Sequence, residues 1–217
     1  MRRRQGATIK VLVLALALSA VGGAAAYAAT ITGTPDADVI TGTPQADQIA
    51  AGAGDDMVRA LGGDDLVIGD EGNDTLHGGM GNDIVFGQAG NDVIQGGPGN
   101  DVLRGREGDD QVRGGQGDDI VFAGPGVDET FGGPGRDRMF ALAQVDASLP
   151  GGDTVHGGAG NDRINVNDGE SDTVDCGAGR HDVAVVDPGN LDVVSDNCEV
   201  LIRRAPSPTE SAAEGGS

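Results

Sequence analysis

The sequence predicts an all-β repeat protein, a solenoid of short strands and glycine-rich turns, and three observations predict it. Asp recurs every nine residues at 38, 47, 56, 65, 74, 83, 92, 101, 110, 119, 128 and 137, twelve units without a slip. With that Asp counted as the sixth residue of its unit, the fourth is Gly in the last ten units, from Gly54 to Gly135, and the eighth is apolar in eleven of the twelve. Composition excludes an ordinary globular core: 217 residues with 40 Gly, 35 Asp plus Glu and 2% aromatics bury too little apolar surface to offset the entropy of ordering the backbone. Only a strict pattern or a bound ion orders such a chain, and self-similarity at a fixed short period marks a solenoid.

The N-terminal element, residues 1–28, reads as an export signal. Arg2, Arg3, Arg4 and Lys10 precede the apolar run Val11 to Ala20, Gly22 and Gly23 break it, and Ala26-Tyr27-Ala28 supplies a small-x-small cleavage pattern. The competing reading is an uncleaved membrane anchor, since small and apolar residues continue to about Ala29. Cleavage leaves 10 basic residues against 35 acidic ones, a net charge of −25, and no stable membrane span. So acidic a chain repels phosphates, which argues against nucleic acid as a partner and for cations.

Residues 33–140 are the repeats. Within a unit the Gly clusters permit the positive φ of a tight turn, and the Asn or Asp common at the fifth place also tolerates the left-handed region, so the first six residues are read as turn. Residues seven to nine are read as a short strand whose middle side chain points one way and whose neighbours point the other. Burying the eighth alone gives a thin aliphatic ladder.

The units Gly78 to Phe86 (GGMGNDIVF) and Gly96 to Arg104 (GGPGNDVLR) resemble the haemolysin-type, or repeats-in-toxin (RTX), calcium-binding nonapeptide. The resemblance runs from Gly33 to Phe140 and returns irregularly at Asp153, at Gly157 to Asn165 (GGAGNDRIN), and in ten-residue steps through Asp172, Asp182 and Asp192. It implies a right-handed parallel β-roll in which two units make one coil and calcium lies between turns stacked on the same edge. The ligands it implies are Asp56, Asp65, Asp74, Asp83, Asp92, Asp101, Asp110, Asp119, Asp128, Asp137, Asp153 and Asp162, with exposed carbonyls of the turns. Hard oxygen donors of this kind suit calcium, which takes six to eight of them. At millimolar calcium a site binding at about 10⁻⁴ M contributes about 1.4 kcal/mol. About eight such sites contribute on the order of 10 kcal/mol, the stability of a whole domain. About eight to ten divalent ions would also neutralise most of the excess charge. Folding is therefore expected to need calcium.

Departures from the repeat mark the ends. The first two units, GTPDADVIT and GTPQADQIA, lack the fourth Gly and read as an N-terminal cap that binds calcium weakly. Single sites are in doubt at Ala60 to Ile68, which begins Ala-Leu, and at Ala123 to Phe131, with Val127 fifth and Thr130 eighth. Residues 141–202 are read as irregular repeats and a C-terminal cap, beginning with a loop or distorted coil at Ala141 to Pro150. Cys176 and Cys198, in a chain expected to reach an oxidising compartment, are expected to form a disulfide, with two free thiols as the alternative. Such a bridge would add about 3 kcal/mol in the loop-entropy picture. Residues 203–217, rich in Pro, Ser, Glu and Gly, read as a disordered tail.

No catalytic reading emerges. The sequence has neither an HExxH helix nor a GxSxG elbow, and His77, His156 and His181 are scattered and read as surface residues. Asn165 to Asp175 is faintly EF-hand-like but lacks the twelfth-position Glu and flanking helices. Two functional readings stand: a calcium-stabilised structural or adhesive protein, secreted or at the cell surface, and an accessory module of an extracellular enzyme or toxin encoded elsewhere. The signal and tail favour a chain that stands alone. An N-terminal signal departs from family members exported in one step and suits the general route.

Alternate units place their seventh and ninth residues on opposite outer faces. One face collects Leu66, Ile68, Ile84, Phe86, Val102, Ile120, Phe122 and Phe140, interrupted by Arg104 and Arg138, and it is more apolar than the other. This face is expected to be covered by the segment beyond Ala141 or by a second copy of the chain.

Overall fold

The computed structural model describes residues 10–12, 29–142, 152–189 and 191–204. They form a parallel β-roll of twenty strands. The first ten are β1 (Lys10–Leu12), β2 (Thr30–Thr32), β3 (Asp38–Thr41), β4 (Gln48–Ala53), β5 (Met57–Gly62), β6 (Leu66–Glu71), β7 (Thr75–Met80), β8 (Ile84–Ala89), β9 (Val93–Pro98) and β10 (Val102–Glu107). The rest are β11 (Gln111–Gln116), β12 (Ile120–Phe122), β13 (Glu129–Gly135), β14 (Arg138–Phe140), β15 (Thr154–Gly160), β16 (Arg163–Asn165), β17 (Thr173–Asp175), β18 (Val183–Val186), β19 (Val193–Val194) and β20 (Val200–Arg203). Odd-numbered strands make one ten-stranded sheet and even-numbered strands the other. No helix among the described residues is long and apolar enough to cross a membrane.

A nine-residue unit is half a coil, so each strand pairs in parallel with the strand two units on. Leu103 lies between Val85 and Val121, each 18 residues away. The eighth residues stack down the centre: Val58, Val67, Leu76, Val85, Ile94, Leu103, Val112 and Val121 are all fully buried. Thr130 fills the same place in its unit, buried like the rest but with its hydroxyl unpartnered.

From β4 to β11 the strands run six residues, and β13 and β15 run seven, longer than the three read from the sequence. β8 runs from the seventh residue of one unit to the third of the next, and its ladder with β10 continues through Gln88 and Arg106. Inward and outward positions keep alternating, so the first residue of a unit also faces the interior, where it is Gly or a buried Ala51, Ala60 or Ala123. The turn is confined to what remains. Positive φ falls at the second and fourth residues, at Leu61, Asp70, Gln88 and Arg106 as well as at Gly. None of the Asn or Asp residues at the fifth place adopts it, contrary to the sequence-based expectation. The fifth side chain has another use, described below.

Beyond β14 the coil lengthens. Asp128 and Asp153 occupy equivalent places 25 residues apart, and the excess falls on a segment whose residues 143–151 lie outside the described set. Later coils take 19 or 20 residues, as Asp153 to Asp172 and Asp162 to Asp182 show. β17 to β20 extend both sheets as the last strands among the described residues, and a Cys176–Cys198 disulfide ties the two coils that follow β17 and β19 together. Within the segment read as an export signal, only β1 is described, beside β3; the remainder of 1–28 and residues 205–217 lie outside the described residues.

The apolar face is the outside of the even-numbered sheet. The described residues beyond Ala141 take their places in the stack and do not lie over it, so the expected intramolecular cover is not found among them. The face is instead packed along its own column. Arg104 lies over the Phe122 ring at 4.6 Å and the Phe86 ring at 5.8 Å, and Phe122 stacks on Phe140 at 4.9 Å. All three Phe are thereby half-buried.

Candidate metal centre

Each unit's Asp leads into its strand, so stacking the coils stacks the carboxylates. One edge of the roll carries Asp56, Asp74, Asp92, Asp110, Asp128 and Asp153; the other carries Asp65, Asp83, Asp101, Asp119, Asp137 and Asp162. The structure thus brings all twelve expected ligands into two columns. Each is no more than 3% exposed, which is exceptional for an acidic residue.

The two oxygens of each carboxylate differ. Oδ1 accepts the backbone N–H of the equivalent Asp one coil earlier: Asp74 N–H donates to Asp92 Oδ1 at 2.8 Å, and Asp92 N–H to Asp110 Oδ1 at 2.8 Å. In eleven of the twelve, all but Asp153, Oδ2 is buried and has no hydrogen-bond partner. A repeated orphan of this kind is a place for a cation or a proton.

Oxygens from the backbone converge on the same place. A Cβ built on Gly87 would lie 2.2 Å from Asp92 Oδ2 and 2.8 Å from the carbonyl oxygen of Gly105, one coil on. Gly69, Gly96 and Gly114 repeat the arrangement with Asp74 and Gly87, Asp101 and Gly114, and Asp119 and Gly132. Among the described residues no three His, Cys, Asp or Glu side chains gather as a metal cluster. The donor set is therefore one of carboxylates supplemented by carbonyls, which suits calcium and not zinc.

Burial raises the carboxyl pKa values. It pushes Asp74, Asp119 and Asp137 up to about 7 and Asp128 up to about 9; the N–H bond to Oδ1 opposes the rise and neighbouring carboxylates add to it. The edges thus hold negative charge only at a cost that a cation removes.

The first two units differ in what their carboxylates touch, although Asp38 Oδ1 is buried without a partner. Thr34 donates its N–H and hydroxyl to Asp38 Oδ2 at 2.6 and 2.9 Å. Asp47 accepts Thr43 N–H at Oδ2, and Ala29 N–H and the Thr43 hydroxyl at Oδ1. Neither Asp47 oxygen is left without a partner. At the other end the structure adds two residues to the columns: Asp172 and Asp182 are buried with Oδ2 unpartnered. Their ten-residue step was the signal for them.

A second ladder could not be read from the sequence. In the eight units whose fifth residue is Asn or Asp, Asp55 to Asp118, that residue accepts at Oδ1 the N–H of the fifth residue one coil later: Asp55 from Asn73, Asn73 from Asn91, and on the other edge Asp64 from Asn82 and Asn82 from Asn100. It runs opposite in sense to the ladder of sixth residues, so each turn is held from both sides. His156 stacks on Phe131 at 4.8 Å, which gives it a packing role on the strand. Asn165 to Asp175 runs from the end of β16 through a turn to β17, with no flanking helix.

A search of curated proteins finds no match. The family model of the RTX calcium-binding nonapeptide repeat (four copies) matches residues 32–67, 59–94, 86–121, 95–130, 104–139 and 149–180. Matched over more than half its length by a repeat whose aspartates it stacks into two buried columns, the chain belongs to the RTX calcium-binding nonapeptide repeat family and is a calcium-binding β-roll.

Proposed function

We propose that this β-roll is an exported structural or adhesive protein without catalytic activity, whose fold is fastened by calcium held along both edges. The observation that carries this reading is the row of buried, unpartnered Asp Oδ2 atoms on each edge. Asp56, Asp65, Asp74, Asp83, Asp92, Asp101, Asp110, Asp119, Asp128, Asp137 and Asp162 supply those oxygens, and Asp172 and Asp182 extend the rows. Asp153 belongs to the same column through its Oδ1 bond with Asp128 N–H. Bound calcium supplies positive charge between successive turns. The chain's part is to present Oδ2 and the turn carbonyls to it while Oδ1 keeps the coils in register. About eight to ten ions fit the rows and the charge.

Export accords with the basic, apolar and small-residue succession of residues 1–28 and with the disulfide, which persists in oxidising compartments. A calcium titration by isothermal calorimetry on the chain from Ala29 tests the reading. We expect on the order of eight to ten bound ions, with β-structure gained as they bind. One or two ions, without β-structure gained, would overturn it.

A further inference from the structure

The last coils contain a group of oxygens that belongs to neither column. Asn167 and Asp187 follow β16 and β18 at equivalent places, and both are almost wholly buried, at 2% and 0% exposure. Asn167 Nδ2 faces three oxygens: Val186 C=O at 3.3 Å, Asp187 Oδ1 at 3.1 Å and Arg204 C=O at shorter range. A carboxamide has two hydrogens for these three acceptors. Its own oxygen, Asn167 Oδ1, is buried with no hydrogen-bond partner. Three oxygens competing for two hydrogens on one side of the carboxamide, with a buried orphan oxygen on the other, make a poor hydrogen-bonded clamp.

Turning the carboxamide over would set Oδ1 beside the other three oxygens. That arrangement has no donor left in it and requires a cation. The remaining bonds hold the group in place: Asp187 Oδ2 accepts Gly169 N–H at 2.7 Å, Asp187 N–H donates to Asp192 Oδ2 at 2.8 Å, and Arg204 N–H donates to Val186 C=O at 3.1 Å. Asp168 and Asp192 lie near enough to act on the Asp187 carboxylate, so the surrounding field is negative.

We propose that Asn167 Oδ1, the Asp187 carboxylate and the carbonyls of Val186 and Arg204 form a calcium site of a second kind, off the nonapeptide columns, that fastens the final strand to the roll. Water completes the coordination, as calcium permits. The site matters for β20, because that strand is exposed along its whole length and, among the described residues, pairs only with β18. Arg204 follows β20 directly, so an ion on its carbonyl anchors the strand's end.

The Arg204–Ala205 bond makes the test direct, since its carbonyl is both the proposed ligand and a trypsin cleavage point. The full chain is treated with trypsin over a calcium titration, the product ending at Arg204 is followed by mass spectrometry, and β-structure is followed in parallel by circular dichroism. We expect protection of that bond to rise with calcium. In Asn167→Ala and Asp187→Asn the calcium needed for protection should rise about tenfold while the dichroism midpoint moves less than about twofold. Asp187→Asn keeps the shape of the side chain and an acceptor for Gly169 N–H, so it remains informative if Asn167→Ala loses β-structure. Protection by calcium that is unchanged in Asp187→Asn overturns the proposal, as does protection that never depends on calcium. Failure of the columns themselves would look different: the dichroism would not respond to calcium at all.

Discussion

Asp47 and Asp92 occupy the same place in their units and differ in what their carboxylates touch. Asp47 is satisfied by Thr43 and Ala29, whereas Asp92 Oδ2 has no partner. Asp92→Asn or Asp101→Asn should therefore raise the calcium midpoint of folding, by about two- to tenfold, and Asp47→Asn should raise it much less. Circular dichroism over a calcium titration checks this, and equal shifts would mean that all units bind alike. The raised carboxyls give a second expectation. A group whose folded pKa exceeds its unfolded value stabilises the fold below the unfolded pKa, and that stability is lost as pH rises through the folded pKa. For the metal-free roll the window runs from about 4 to the values near 7 for Asp74, Asp119 and Asp137 and near 9 for Asp128. In chelator, β-structure should thus grow as pH falls from 8 towards 4, which a pH series of spectra would show. The sixth and eighth residues were legible in the sequence because their period alone sets which face they take. The use of the fifth was not, because its partner N–H lies 18 residues away and only the stack brings it near.

From β4 to β11 the strand proved to be twice the length that the apolar pattern marked. Positions one to three carry no periodic apolar signal, yet their backbone stays in the ladder through the positive φ of the second residue and leaves it at the fourth. Gly99, at φ 151°, sits so that a Cβ would lie 1.7 Å from the carbonyl oxygen of Gly81. Gly169 has φ 104° with nothing within 4 Å of such an atom. Gly169→Ala should cost about 1 to 2 kcal/mol, for backbone strain alone, and Gly99→Ala at least about 3 kcal/mol, for strain and collision together. Thermal melts in saturating calcium compare the two, and equal costs would show that the stacked turns yield freely. At the C-terminal end, the ten-residue step and the two cysteines made the closing coils legible. Cys176→Ser with Cys198→Ser should destabilise β17 to β20 by about 3 kcal/mol, read as faster amide exchange in those strands and not in β6 to β12. The 25-residue coil was legible only as either a loop or a distorted coil, because its added residues carry no repeat.

At the scale of the whole molecule, the roll is a narrow aliphatic ladder between two acidic edges. Its one more apolar outer face, with Phe86, Phe122 and Phe140 packed against Arg104, we propose as a contact for a second copy of the chain. Phe86→Ser with Phe122→Ser should then reduce the mass measured by light scattering from dimer to monomer, with calcium-induced folding intact; an unchanged mass would count against the contact. The central claim is broader, that the edges hold calcium and that calcium holds the fold. It is tested most directly by far-ultraviolet circular dichroism of the chain from Ala29 at neutral pH, first in chelator and then in millimolar calcium. A largely unordered spectrum that turns cooperatively to β-structure as calcium is added is the result expected. The same β-spectrum in chelator and in calcium would contradict the account.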